Sequence, residues 1–287
     1  MTPDISLIFD HMCRAVRQGG VIAKNVQGKV QNEGKVMEID AQASDRVRAM
    51  VEAKTVVDEV VQEVMLLTMS EVLDPAITLL DAEEKTPRAQ LFSSADQAYS
   101  LVVDPIDGTL EYVEGKDAYS VTLGVMKAGQ IAAAIVYLAS RDQAFVWAPD
   151  GHSYLCKGFD AHGFATRQLI TLPEKAKKVV YKNRRVTPEV TSGLSENGYE
   201  VVEEMKDNGC FFDAIFKVMN GEAAGYITHT PQIRDIFLAA IIGNAQGGVI
   251  SDWQGQPLVW PSKGRLAEGL FVNEAYQKEI LSHLNQL

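Results

Sequence analysis

The sequence predicts a mixed α/β protein built in two parts, and three observations carry that expectation. From Tyr119 to Lys157, short apolar segments are separated by Gly- and Asp-containing turns, the pattern of an antiparallel meander. Beyond residue 170, strand-length and helix-length apolar segments alternate, the pattern of a mostly parallel sheet covered by helices. Between them lies a polar, Gly-containing stretch at 158–170, which divides the chain into a domain over 1–160 and a domain over 161–287. A chain of 287 residues can bury a substantial core in either one large domain or two ordinary ones.

Taken in order, Thr2-Pro3-Asp4 is a helix opening, with a hydroxyl cap, proline in the first turn and an acid beside the dipole. Ile5, Ile8, Met12 and Val16 recur at helical spacing and predict a helix from 4 to about 26, with Gly19-Gly20 weakening its far half. The polar stretch 27–42 predicts a mobile or hairpin segment. Val56, Val57, Val60, Val61, Val64, Met65 and Leu67 form a second helical face. Ile77 to Leu80 and Leu101 to Val103 are apolar runs of strand length. Ser120–Met126, Ile131–Leu138, Gln143–Ala148 and Tyr154–Lys157 supply the meander. The alternating half predicts strands at Lys178–Tyr181, Glu200–Glu203, Ala224–Ile227 and Gly248–Asp252. Helices fall between them at Thr187–Asn197, Phe211–Asn220 and Asp235–Asn244.

The net charge of −11 and pI near 5.0 exclude a groove for nucleic acid polymer, whose affinity rests on Lys and Arg neutralising phosphates. Three scattered cysteines, Cys13, Cys156 and Cys210, lack the spacing of a disulfide framework or a zinc site and fit a reducing cytoplasm. Asp4 and Asp10 interrupt the N-terminal apolar pattern, so no signal peptide is expected. The longest apolar run, Ile131 to Ala139, is far short of a membrane span.

The chemistry concentrates at Asp104-Pro105-Ile106-Asp107-Gly108-Thr109, directly behind Leu101-Val102-Val103. Two carboxylates three residues apart at a strand end offer hard oxygen ligands of the kind Mg²⁺ takes. Gly108 lets the backbone approach a bound group, and the amides that follow can open a short helix facing an anion. The same pentapeptide also reads as a turn, with proline presetting φ and Asp-Gly supplying a positive-φ position. Glu83-Glu84, past the run ending at Leu80, reads alone as a solvated pair, and Asp235 alone reads as a helix-dipole partner.

Read together, the acidic pair, the Asp-Pro-Ile-Asp-Gly-Thr run about twenty residues later and the helix-opening Asp235 resemble the inositol monophosphatase family. The resemblance extends from about residue 10 to 275. Lys54-Thr55-Val56-Val57-Asp58 resembles the family's early Thr-x-x-Asp segment, and Gln246 to Leu258 its C-terminal strand and turn. The chain departs from the pattern at Ala82 for Gly, Val57 for Thr, Arg234 for Trp and Thr228 for a polyol-contacting acid. These departures concern the substrate rim more than the acid set.

The resemblance implies a layered α/β/α/β/α sandwich and a Mg²⁺-dependent phosphomonoesterase, with two or three ions. Glu83, Asp104, Asp107, Asp235 and the carbonyl of Ile106 would be the metal ligands. Thr109, Asp58 and Glu83 would do the catalytic work on a metal-activated water, and metals roughly 3.5–4 Å apart clamp both oxygens of an in-line displacement. The amides of Gly108 and Thr109 would bind phosphate, with Thr228, Arg184 and Arg185 at the substrate rim. His229 near that rim reads as incidental. The expected substrate is a small polyol or sugar monophosphate. A 3′(2′),5′-bisphosphate nucleotide is the alternative, although Lys182 to Arg185 and Gly209 to Asp213 differ from that branch's second-domain segments. A catalytically weak member acting as a binding protein is a third reading. The resemblance also implies lithium inhibition and a homodimer.

Overall fold

In a computed structural model the described residues are 4–34, 54–95, 97–160, 163–204 and 211–284. The chain divides into two compact units, Met1–Gly151 with Leu155–Arg167, and His152–Tyr154 with Gln168–Leu287. The described part of the expected 27–42 segment makes turns after the first helix, and 35–42 lies outside the described residues.

In the first unit, α1 (Ile5–Val26) is capped by the Asp4 carboxylate, which accepts from Ser6 N at 3.2 Å. Asp4 is therefore the cap, since its short side chain folds back onto a first-turn amide, and Thr2 lies outside the described residues. Ile8, Met12, Ala15, Val16, Gly19 and Ala23 form its buried stripe. The helix runs unbroken through Gly19-Gly20 because those glycines are contact points. A Cβ on Gly20 would lie 2.3 Å from the Tyr137 ring, and one on Gly19 3.0 Å from Val61. The next described helix, α2 (Val56–Met69), packs along α1 with Val57, Val61, Met65 and Leu66 buried. Each fully buried aliphatic side chain of this kind contributes about 1.5–3 kcal/mol relative to exposure.

Seven strands form one sheet in chain order: β1 (Thr78–Ala82), β2 (Tyr99–Asp107), β3 (Ser120–Lys127), β4 (Gln130–Leu138), β5 (Gln143–Trp147), β6 (Ser153–Asp160) and β7 (Gly163–Leu169). The pair β1–β2 is parallel, and β2 to β5 form the expected antiparallel meander. A short helix, α3 (Thr109–Val113), follows β2. Strand β7 occupies the stretch that sequence assigns to a boundary. It is an edge strand exposed along most of its length, so Thr166, Arg167 and Gln168 carry no apolar alternation.

The second unit contains β8 (Val179–Lys182), α4 (Pro188–Glu196), β9 (Glu200–Glu203), α5 (Phe211–Met219), β10 (Gly225–His229), α6 (Phe237–Gly243), β11 (Gly248–Ser251), β12 (Glu268–Asn273) and α7 (Gln277–His283). Its sheet order is β11-β12-β10-β8-β9. The expected mostly parallel sheet is mixed: β10–β8 and β8–β9 are parallel, whereas β12 inserts antiparallel between β10 and β11. The long connection after Ser251 returns the chain in the opposite sense, which a simple β-α alternation does not foresee. Val180, Val190, Leu194, Ile227, Trp253, Leu270, Val272 and Ile280 fill this unit's core.

Candidate active site

In the first unit the parallel pairing β1–β2 sets the geometry. Ala82 pairs with Val103, so Glu83-Glu84 leave the sheet level with Asp104. Strand β2 continues through the proline because the ladder to β3 shifts register there. Asp104 pairs with Thr122 and Asp107 with Ser120, three residues against two. That bulge accommodates Pro105, which has no amide to donate, and re-aims the two carboxylates. Asp104 is buried, Ile106 is buried and Asp107 is half-buried.

Gly108 then takes a left-handed conformation, φ 86°, and caps α3. A Cβ there would sit 2.6 Å from the Ala118 carbonyl oxygen, so both torsion and space demand glycine. Tyr112 anchors α3: its hydroxyl donates to the Ala23 carbonyl at 2.9 Å, and its ring meets Tyr119 edge-on at 4.9 Å.

Thr55 and Asp58 form a capping box at the start of α2. Asp58 Oδ2 accepts from Thr55 N at 2.9 Å and from the Thr55 hydroxyl at 2.7 Å. Asp58 is fully buried, and its other oxygen accepts from the Thr109 hydroxyl at 3.2 Å. That hydroxyl also lies 2.9 Å from the Ile106 carbonyl, a competing acceptor. The structure thus brings Thr109, Asp58 and Ile106 together.

Glu84 is buried rather than solvated, and the reason is Gln62. One turn beyond Asp58 on the same helix face, Gln62 accepts from Glu84 N at 2.9 Å and donates to the Glu84 carbonyl at 2.7 Å. Lys54 bridges Glu84 at 2.8 Å and Glu59 at 2.7 Å, and those bonds hold its ammonium pKa above the usual lysine value. Oxygens of Asp58, Glu83 and Glu84 lie within 4.8 Å of one another, a group able to hold a cation. Sequence reasoning placed Glu83 in such a site but missed the parts of Glu84, Lys54 and Gln62. The polar Gln62 four residues after Asp58 in an apolar helix was the available signal.

In the second unit the carboxyl ends of β8, β9 and β10 lie along one sheet edge, where open α/β sheets place ligands. Asn183 ties β8 to β10, donating to the His229 carbonyl at 3.0 Å and accepting from His229 N at 3.2 Å. Thr228 is buried beside the Tyr226 hydroxyl, whose pKa burial and Glu204 raise well above the usual tyrosine value. Asp235 is exposed, within a 3₁₀ turn (Arg234–Ile236) that precedes α6, and lies 3.8 Å from Arg234 Nε. Arg185 reaches the Thr230 carbonyl at 2.6 Å, while Arg184 is exposed. Glu204, which sequence reasoning did not single out, follows β9. Burial, then Asp235 and Glu203, push its carboxyl up to about 7. Gly209 and Cys210 lie outside the described residues.

Carboxylates gathered at parallel strand ends, with a hydroxyl held by a buried acid, define a class of site suited to hard divalent cations. The chain belongs to the inositol monophosphatase family, whose family model matches residues 8–287. That is a family of Mg²⁺-dependent phosphomonoesterases acting on small phosphorylated substrates. In sequence, no curated protein matches the chain. Among solved structures, the chain is similar to a staphylococcal inositol monophosphatase-1 in a lithium chloride-soaked inhibitory complex. That match has TM-score 0.70 and 13% identity over 99% of this chain and 97% of that one. Inositol monophosphatase-II from Staphylococcus aureus gives 0.66 and 18%, covering 97% and 96%. Extragenic suppressor protein SuhB from Bartonella henselae gives 0.67 and 14%, covering 98% and 99%. The fold is the mixed α/β one of these proteins, with two sheets and flanking helices.

Proposed function

We propose that the chain is a Mg²⁺-dependent phosphomonoesterase that hydrolyses a small polyol or sugar phosphate. The observation that carries this reading is the hydrogen bond from Thr109 to the buried Asp58, whose carboxylate also belongs to the Asp58, Glu83 and Glu84 group. The carboxylates whose oxygens the described structure brings within 4.8 Å of one another, Asp58, Glu83 and Glu84, are hard oxygen donors of the kind magnesium takes. Glu83, Asp104, Asp107 and the Ile106 carbonyl are the proposed ligands in the first unit, and the sequence resemblance alone adds Asp235. Bound divalent cations supply Lewis-acid neutralisation of phosphoryl charge and a lowered pKa for water.

The chain's own groups do the positioning. Thr55 fixes Asp58 Oδ2, which leaves Oδ1 as an acceptor for the Thr109 hydroxyl beside the Ile106 carbonyl, so that two acceptors hold that hydroxyl in place. An attacking water can then donate to Thr109 and be oriented by it. Positioning and charge neutralisation supply most of the catalysis in phosphoryl transfer. The two described cysteines, Cys13 and Cys156, are free and buried, which suits a reducing compartment.

A magnesium-dependent assay over a panel of polyol, sugar, histidinol and nucleotide phosphates tests the proposal. The expected result is hydrolysis that Thr109→Ala slows by at least ~10²-fold, that Thr109→Ser largely retains, and that Asp107→Asn abolishes with loss of magnesium binding. An inert panel, or a folded Thr109→Ala variant at full rate, would refute it.

A further inference from the structure

A cation of the chain's own lies against the acidic group of the first unit. Lys54 Nζ sits 2.8 Å from Glu84 Oε2, and Glu84 in turn has an oxygen within 4.8 Å of oxygens of Asp58 and Glu83. Asp58 and Glu84 are buried, and Lys54 is partly so. The ammonium therefore belongs to the charge distribution that a metal ion at this group would meet.

Both ends of the Lys54–Glu84 pair are fixed by the backbone around them. The Lys54 amide donates to Asn32 Oδ1 at 3.1 Å, and its carbonyl accepts from Glu33 N at 2.7 Å. The next residue, Thr55, caps α2 and is locked to Asp58. On the other side, Gln62 holds both the amide and the carbonyl of Glu84. The half-exposed Glu59 accepts a second ammonium N–H at 2.7 Å and holds Lys54 from another direction.

Charge decides what such a pair does to a metal. Three ionised carboxylates and one ammonium leave two negative charges, which a single divalent cation cancels. A second dication ligated by Glu84 would lie only a few ångströms from the ammonium, and like charges at that range oppose one another. Ammonium and dication thus exclude each other at Glu84.

We infer that Lys54 is a built-in monovalent cation of this site. It occupies Glu84, keeps that carboxylate out of the metal's ligands and limits the Asp58, Glu83 and Glu84 group to one divalent ion. This role rests on the phosphatase reading and deepens it, since a fixed side chain then does at Glu84 what a further metal ion would do.

Manganese, like magnesium, takes carboxylate oxygens, and dialysis against it, read by the paramagnetic resonance of the free ion, counts ions per chain. Lys54→Met keeps an unbranched side chain of similar length without the charge, and should take up about one Mn²⁺ per chain more than wild type. Lys54→Arg, which retains the charge, should keep the wild-type count. Adding Glu84→Gln to Lys54→Met should remove the extra ion, whereas Glu84→Gln alone should leave the wild-type count unchanged. An equal count in wild type and folded Lys54→Met overturns the inference, as does an extra ion in Lys54→Arg. If Lys54→Met fails to fold, because Glu84 is then buried without its partner, Glu84→Gln decides alone: one ion lost with Lys54 in place overturns the inference. An extra ion in Lys54→Met, in a protein that hydrolyses no phosphate ester with magnesium, would sink the phosphatase reading and leave the part of Lys54 standing.

Discussion

Glu204 sits at the end of β9 with its Oε2 buried and without a hydrogen-bond partner among the described residues, while its carboxyl also engages the Tyr226 hydroxyl. Burial first, then Asp235 and Glu203, raise its pKa from 4.5 to about 7. The sign of the linkage follows. Below pH 4.5 both folded and unfolded chains carry the proton and nothing is lost. Between 4.5 and 7 the unfolded chain ionises while the folded one keeps its proton, so stability falls as pH rises, by up to about 3 kcal/mol. Glu204→Gln should therefore match wild type at pH 4.5 and exceed it by about 1–3 kcal/mol at pH 8 in metal-free urea titrations. Parallel stability profiles for the two proteins would show that Glu204 ionises normally. Sequence pattern flags Asp58, Glu83, Asp104, Asp107 and Asp235 because short motifs carry them. Glu204 belongs to no motif, and only sheet topology gives it neighbours.

At the scale of elements, the site is an assembly of strand ends held by one helix. Gln62 of α2 satisfies both backbone groups of Glu84, and its amide nitrogen also lies 3.2 Å from the Thr86 hydroxyl. Replacing it with leucine keeps the helix and the bulk but strands a buried amide and a buried carbonyl, each costing about 1–3 kcal/mol. Gln62→Leu should thus destabilise the first unit and weaken magnesium binding without removing a carboxylate. Isothermal titration showing wild-type magnesium affinity in a folded Gln62→Leu variant would contradict this clamp. The elements that were legible are those whose pattern is local: α1 and α2 by apolar periodicity, β3 to β5 by turn-bounded alternation. Strand β7 was hidden because its exposed edge carries polar residues. The antiparallel place of β12 was hidden because it depends on a long connection that has no periodic signal. The Gly19-Gly20 pair misled for a related reason, since its value lies in what packs against it and not in backbone freedom.

For the whole molecule, acidity and metal binding are linked. The chain carries a net charge of −11, and three of its carboxylates come within 4.8 Å of one another with Lys54 as a neighbouring cation. Crowded like charges oppose folding unless a cation binds them, and a ligand that binds only the folded state adds RT ln(1 + [L]/Kd). That amounts to about 2.7 kcal/mol at a hundredfold excess over Kd. For a chain of this size, such a gain corresponds to a rise in Tm of roughly 4–5 °C. Magnesium chloride should produce that rise, and sodium chloride at equal ionic strength should not, because general screening of surface charge depends on ionic strength and not on ion type. Glu83→Gln should lose most of the magnesium-specific part while keeping the response to sodium. Equal responses to the two salts in the wild-type protein would mean that the carboxylates merely repel one another and hold no ion.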